Sequence, residues 1–301
     1  MYQNTRRQFM KESMIGMLLI IAGLICHQFE AILVKQHGKK HGSGGMHFNA
    51  IICLFAMVYF FVTDKNGLHF SHEVIQYGIA NCFMYATGFY TTYLAFRSGS
   101  FGLTRLFTAF SGIIPIFYGI IFLKEPTYPI TYVALVLIFA SVFLMNYTKG
   151  EKEDKKLTVG WLVCTLLTVI SNAIIAIIGK VEHDHLGDGF NNEFLIISLG
   201  GAAIILFILG FIFERKDFKS TFRYGLVYGI FAGVFNGINN LLTLITYNYL
   251  PLSFISPVKT GLGIVISFFV SLLLFREKFS RRQIASVAIG IVAVVLMNLK
   301  I

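Results

Sequence analysis

Four ionisable side chains stand in stretches that are otherwise apolar, and their chemistry bounds what the chain can do. Glu30 lies in LICHQFEAILV (24–34), with His27 one helical turn before it on the same face. Lys259 lies in SPVKTGLG (256–263), beside Thr260 and after Pro257, and Arg105 lies in LTRLF (103–107). A charge in hydrocarbon is costly, so each is expected to face a partner or a water-filled space. A carboxylate one turn from an imidazole, the side chain that changes charge nearest neutral pH, can couple protons or act as a gate. Glu30 and Arg105 fall near the same depth on helices of opposite direction. They are expected to pair, either as a gate or as a structural ion pair. Lys259 and Arg105 sit at similar depths from opposite faces. Two cations so placed attract a carboxylate or a phosphate; the plainer reading is that Lys259 snorkels and Arg105 only neutralises Glu30.

Uncharged polar residues form a second pattern. Asn236, Asn240, Thr243 and Tyr247 follow spacings of 4, 3 and 4, which places them on one helical face, with Asn239 beside it. Tyr85, Phe89 and Tyr93 recur every four residues on another helix. Both stripes are candidate substrate-binding walls, and Ser171 and Asn172 extend the polar one. The alternative is interhelical hydrogen bonding and aromatic packing, worth about 0.6–2 kcal/mol per polar contact.

These residues need helices that cross a membrane. Of 301 residues, 56% are hydrophobic and only 13% are charged, and the mean hydropathy is +0.72. A soluble domain carries roughly 25% charged residues. Ten windows are apolar enough to span a bilayer: 14–36, 46–63, 74–96, 101–123, 130–147, 158–180, 192–213, 222–248, 253–275 and 282–299. The first is too long for a signal-peptide core and is read as a retained helix. The net charge of +10 falls largely in short connectors, so nucleic acid is not an expected partner. HGKKHGSGG (37–45) reads as a flexible connector. No cofactor, metal set or catalytic motif is expected, and the reading is of a non-enzyme.

The chain also repeats itself. At a shift of 152 positions, Thr108 meets Thr260, Glu125 meets Glu277, and Leu144-Met145-Asn146 meets Leu296-Met297-Asn298. A looser match at 145 pairs Ala31 with Ala176 and Lys35 with Lys180. Two five-helix units, 1–148 and 149–301, follow. Five is odd, so the second unit enters the membrane from the opposite side. The expected fold is an all-α integral membrane protein, with ten transmembrane helices as two inverted five-helix repeats around a central cavity. The breaks at Lys124-Glu125 and Arg276-Glu277-Lys278 become turns between the fourth and fifth helix of each unit.

On these features the sequence resembles the drug/metabolite transporter superfamily, in its EamA-like branch. The resemblance is carried by PIFYGIIFLKEPTYPITYVALVLIFASVFLMN (115–146) and SFFVSLLLFREKFSRRQIASVAIGIVAVVLMN (267–298). Family segments of this kind hold a Gly-Glu or similar acidic turn; here Lys124 and Arg276 stand where Gly is usual. The resemblance implies ten helices around a cavity but no particular substrate.

Together these readings predict a secondary transporter of a small polar metabolite, anionic or zwitterionic, with Lys259 and Arg105 holding the acid group and Glu30 and His27 coupling protons or ions. A quaternary-amine or cation carrier caged by Glu30 and the tyrosines is the alternative within the class. A membrane scaffold, with Asn236 and Asn240 buried in dry packing, is the alternative outside it. The expected location is a prokaryotic plasma membrane. Odd-numbered connectors hold 16 Lys/Arg, whereas even-numbered connectors and both tails hold seven, which favours termini outside. The resemblance implies cytoplasmic termini.

Overall fold

The computed structural model describes residues 2–41, 44–64, 67–98, 104, 107–108, 110–125, 129–146, 158–274 and 281–298. Among them are ten α-helices and no strand: α1 Tyr2–His41, α2 Gly45–Thr63, α3 His72–Ser98, α4 Ile113–Ile121, α5 Pro129–Asn146, α6 Val159–Leu186, α7 Asn191–Phe213, α8 Phe218–Thr246, α9 Leu252–Leu274 and α10 Arg281–Asn298. Each falls on one of the ten apolar windows. Among the described residues, six segments are long and apolar enough to cross a membrane by length and composition, namely Glu12–Gly38, Gly45–Thr63, Val159–Leu186, Asp188–Phe213, Arg215–Thr246 and Leu252–Leu274. Their outer faces carry large apolar side chains such as Leu18, Phe61, Ile208, Phe213 and Leu273, as lipid contact requires. One expectation is corrected: α1 continues to His41, so the first part of HGKKHGSGG is helix rather than connector. The connector shrinks because Gly44, at φ 76, already begins the turn into α2.

The principal interhelical contacts keep their pattern when α1–α5 are exchanged with α6–α10. α1 packs on α8 as α6 packs on α3, α2 on α8 as α7 on α3, and α1 on α9 as α6 on α4; α2–α7, α4–α9 and α5–α10 pair with their own counterparts. Burial follows the same exchange. At a shift of 152, the buried residues Ala134, Leu135, Ile138 and Ser141 of α5 fall on Ser286, Val287, Gly290 and Ala293 of α10, all buried. Ser141 donates to the Ser286 carbonyl at 2.7 Å, and Ser286 returns a bond to the Ser141 carbonyl at 2.6 Å.

Helices meet closely in lipid only where side chains are small. Gly233 of α8 is the tightest such point against backbone: a Cβ there would lie 2.5 Å from the Ile52 carbonyl oxygen and 3.0 Å from the Ala56 nitrogen of α2.

The charged break after α4 does more than turn in water. Glu125 accepts from the backbone N–H groups of Leu252 at 2.8 Å and Ser253 at 2.7 Å, so it caps α9 across the molecule. Lys124 reaches that turn at φ 51, in the left-handed region. A glycine adopts that conformation without steric cost, which gives the Gly-Glu turn its physical reason. Lys124→Gly is expected to raise the thermal midpoint, by the equivalent of about 1 kcal/mol. Glu125→Ala is expected to lower it, by about 1–2 kcal/mol. Paired melting curves in one detergent check both signs. The counterpart break at 276–278 lies outside the described residues.

Candidate functional site

A cavity of about 390 Å³ lies between the two exchanged groups of helices. α1, α3, α4, α6, α8 and α9 form its walls, and α2 and α7 reach it at Asn49, Phe194 and Leu195. The structure places Glu30, His27, Tyr85, Tyr93, Asn236, Asn240, Thr243, Tyr247 and Lys259 on its lining. Arg105, and with it the expected pairing to Glu30, lies outside the described residues.

One wall is a continuous hydrogen-bonded chain across three helices. The Tyr85 hydroxyl of α3 donates to Asn240 Oδ1 of α8 at 2.7 Å. Asn240 Nδ2 donates to Asn236 Oδ1 at 2.8 Å, and Asn236 Nδ2 donates to Glu30 Oε1 of α1 at 3.1 Å. The other carboxylate oxygen lies 3.2 Å from His27 Nδ1. The carboxylate, which only accepts when ionised, orients every donor behind it. Asn236 and Asn240 are therefore one turn apart on a helix and also successive links between neighbouring helices. Both border the cavity on the same face.

The cation stands elsewhere on the wall. Lys259 Nζ donates to Thr243 Oγ1 at 2.7 Å, and among the described residues no carboxylate lies within 4.0 Å of it. Thr243 and Asn236, which contact the cationic and the acidic side chain, are seven residues apart on one face of α8, a rise of about 10 Å. Pro257, one turn before Lys259, sits inside α9.

Tyr247 closes one end. It lines both this cavity and a second of about 360 Å³ that also touches Lys180, Asp184 and Glu125. Its hydroxyl donates to the Ala176 carbonyl at 3.2 Å, and Lys180 Nζ lies 5.4 Å from its ring centroid. Lys180, one of the seven cations assigned to even-numbered connectors and tails by the sequence, is a buried residue of α6 held by Asp184 at 2.6 Å. Tyr247 thus partitions two spaces instead of only reading a ligand.

The relation between α3 and α8 also differs from the sequence alignment. Their buried positions coincide at a shift of 151, not 152: Gly78, Cys82, Tyr85 and Ala86 fall on Gly229, Gly233, Asn236 and Gly237. One residue is a rotation of about 100°. The asparagine face of α8 is therefore matched by the aromatic face of α3, Tyr85 with Asn236 and Phe89 with Asn240, and both face the cavity. At a shift of 152 the stripe Asn236, Asn240, Thr243 and Tyr247 would fall on Met84, Gly88, Thr91 and Ala95, of which Gly88 alone lines the cavity.

Sequence reading missed Gln28, Asn49 and Asn81. All three line the cavity. Gln28 joins α1 to Ser267 of α9 at 2.8 Å, and Asn81 is buried with neither amide atom hydrogen-bonded. The signal was present, since each is a polar side chain inside an apolar span, but none belongs to a stripe. Asn239, noted only as a neighbour of the stripe, lines the cavity with a buried Oδ1 that has no partner. Of the expected extension of the wall, Asn172 lines the cavity, while Ser171 is buried against Gly88.

The family model described as the EamA-like transporter family matches the chain twice, over residues 14–147 and 159–299. A solved structure described only as the crystal structure of a protein superposes with a TM-score of 0.74, at 9% identity, over 95% of this chain and 98% of that one. At that identity the likeness concerns the fold alone. No protein of curated function matches the chain.

Proposed function

The chain belongs to the EamA-like transporter family, and from that premise we propose that it carries a small polar metabolite, anionic or zwitterionic, across a plasma membrane by alternating access. It is a multi-pass membrane protein of the drug/metabolite transporter type. The proposal adds ten spans arranged as two inverted five-helix repeats, 1–148 and 149–301. The exchange of contacts and of burial between α1–α5 and α6–α10 supports that arrangement. Inverted halves can swap conformations and so open a shared site to one side and then the other.

The observation that carries the reading is Lys259. It is an ammonium on a cavity wall with a hydroxyl and, among the described residues, no carboxylate for a partner. An ammonium so placed gains most from an acid group brought in by a solute. In this reading Lys259 anchors the acid, with Arg105 assigned to the same role by its depth in the sequence. Asn236, Asn240, Thr243, Tyr85 and Tyr93 recognise the remaining polar groups, Tyr247 gates the end it closes, and Glu30 with His27 couples protons.

Reconstitution tests this directly. Liposomes loaded with a labelled small carboxylate should show exchange against external carboxylates, and a proton gradient should drive net accumulation. Exchange of quaternary amines with no carboxylate exchange would replace this reading with the cation-carrier one. No exchange of either class would favour the scaffold.

A further inference from the structure

Among the described residues the cavity lining holds one carboxylate, Glu30, with His27 beside it, and one ammonium, Lys259, and the carboxylate and the ammonium do not contact each other. Glu30 has spent one acceptor position on Asn236 and faces His27 with its other oxygen, while a carboxylate offers about four acceptor positions in all. Lys259 has three N–H donors and uses one, on Thr243. Both poles therefore keep unfilled hydrogen-bonding capacity on the same open space. Neither has a like residue at its exact repeat counterpart, although Arg105 stands two positions from that of Lys259. At the shift of 145 Glu30 falls on Ile175, and at 152 Lys259 falls on Phe107. The dipole they make is a property of this cavity and not a by-product of the repeat.

Their separation is set by α8. Asn236 presents Glu30 and Thr243 presents Lys259. Seven residues at 1.5 Å each separate those two contacts by about 10 Å along one face. A ligand bridging the poles spends about 3 Å on the hydrogen bond at each end, which leaves about 4–5 Å between its own charged atoms. In an α-amino acid a single carbon joins the two groups, and they stand only about 3 Å apart. Two carbons, or three in a bent chain, between ammonium and carboxylate bring the separation into range. The amide and hydroxyl groups of Asn240 and Tyr85 continue the wall from Glu30, while Phe89, stacked beside Tyr85 on α3, adds an apolar lining surface for the intervening carbons.

We propose that the solute is a dipolar molecule whose ammonium and carboxylate are separated by a short carbon chain, with the ammonium on Glu30 and the carboxylate on Lys259. The class is that of ω-amino acids and compounds of similar charge spacing, as distinct from α-amino acids or simple anions. This rests on the transporter reading above and narrows its substrate class. Under it, the ammonium and a proton compete for Glu30, so loading of the solute releases any proton held there.

Equilibrium binding to the purified full chain tests the spacing, with four probes: glycine, 4-aminobutanoate, butanoate and butylamine. The expected order places 4-aminobutanoate at least tenfold tighter than each of the other three. Glu30→Gln should reduce 4-aminobutanoate to about the affinity of butanoate. Glycine binding as tightly as 4-aminobutanoate, or butanoate binding as tightly in the wild type, overturns the dipolar class while leaving the anion-binding Lys259 intact. Failure of every carboxylate to bind, or equal binding by Lys259→Met, overturns the transporter reading of the site as well. The wild-type probe order decides the matter by itself if the Glu30 variant does not fold.

Discussion

Lys259→Met is expected to abolish carboxylate uptake in liposomes while the protein still folds. Methionine keeps the length of the stem and removes the charge. Among the described residues, the only hydrogen bond lost is the one to Thr243, whose hydroxyl retains its own bond to the Asn239 carbonyl at 2.8 Å. No buried acceptor is orphaned, so the cost to stability is small. The cost to binding is not. A hydrogen bond between charged partners contributes about 1.5–3 kcal/mol net, which is roughly a 10- to 150-fold loss of affinity. Arginine at the same position keeps the charge but changes the shape, and should recover part of the binding. Initial uptake rates, with melting curves of both variants, separate a binding defect from a folding one. Uptake at the wild-type rate in the methionine variant would remove Lys259 from the site.

Gly233→Val is expected to be the most damaging of the single changes considered, and it acts far from any charge. The space at this position is already closed by backbone: the nearest atom to an added Cβ is the Ile52 carbonyl oxygen at 2.5 Å, and the Phe55 Cβ follows at 2.8 Å. Neither can swing aside as the end of a flexible side chain would. α2 and α8 must separate, and the wall that carries Asn236 and Asn240 moves with α8. Overpacking of a tight contact costs about 1–3 kcal/mol, and a branched residue against backbone belongs at the upper end. Gly160, near the start of α6, is the control. Nothing lies within 4 Å of a Cβ added there, so Gly160→Ala should be neutral or gain up to about 1 kcal/mol of helix propensity. Denaturant titration of the two variants beside the wild type measures the contrast. A Gly233→Val protein as stable as Gly160→Ala would mean that α2 and α8 do not meet as described.

The helices and the repeat were legible before any coordinates. Long apolar windows separated by charged breaks report where a chain can cross lipid, because an exposed backbone group there has no water to satisfy it. The spacing Asn236–Asn240–Thr243–Tyr247 likewise reports one face of one helix, since 3.6 residues make a turn whatever surrounds it. Glu30 and Lys259 declared themselves by their cost in an apolar span. Tertiary structure decided which faces meet. In water, the apolar stripe of a helix tells which side turns inward. In lipid both sides are apolar, and helices find their rotation through close packing at small residues such as Gly233 and Gly237. Sequence alignment therefore erred by one residue in relating α3 to α8, and it hid the match between the aromatic and asparagine walls. It could not show that Asn236 reaches Glu30 on α1, that Tyr85 reaches Asn240, or that Glu125 caps a helix 127 residues later in the chain. Those contacts depend on the rotation and height of one helix against another, and no periodicity within a single helix encodes either.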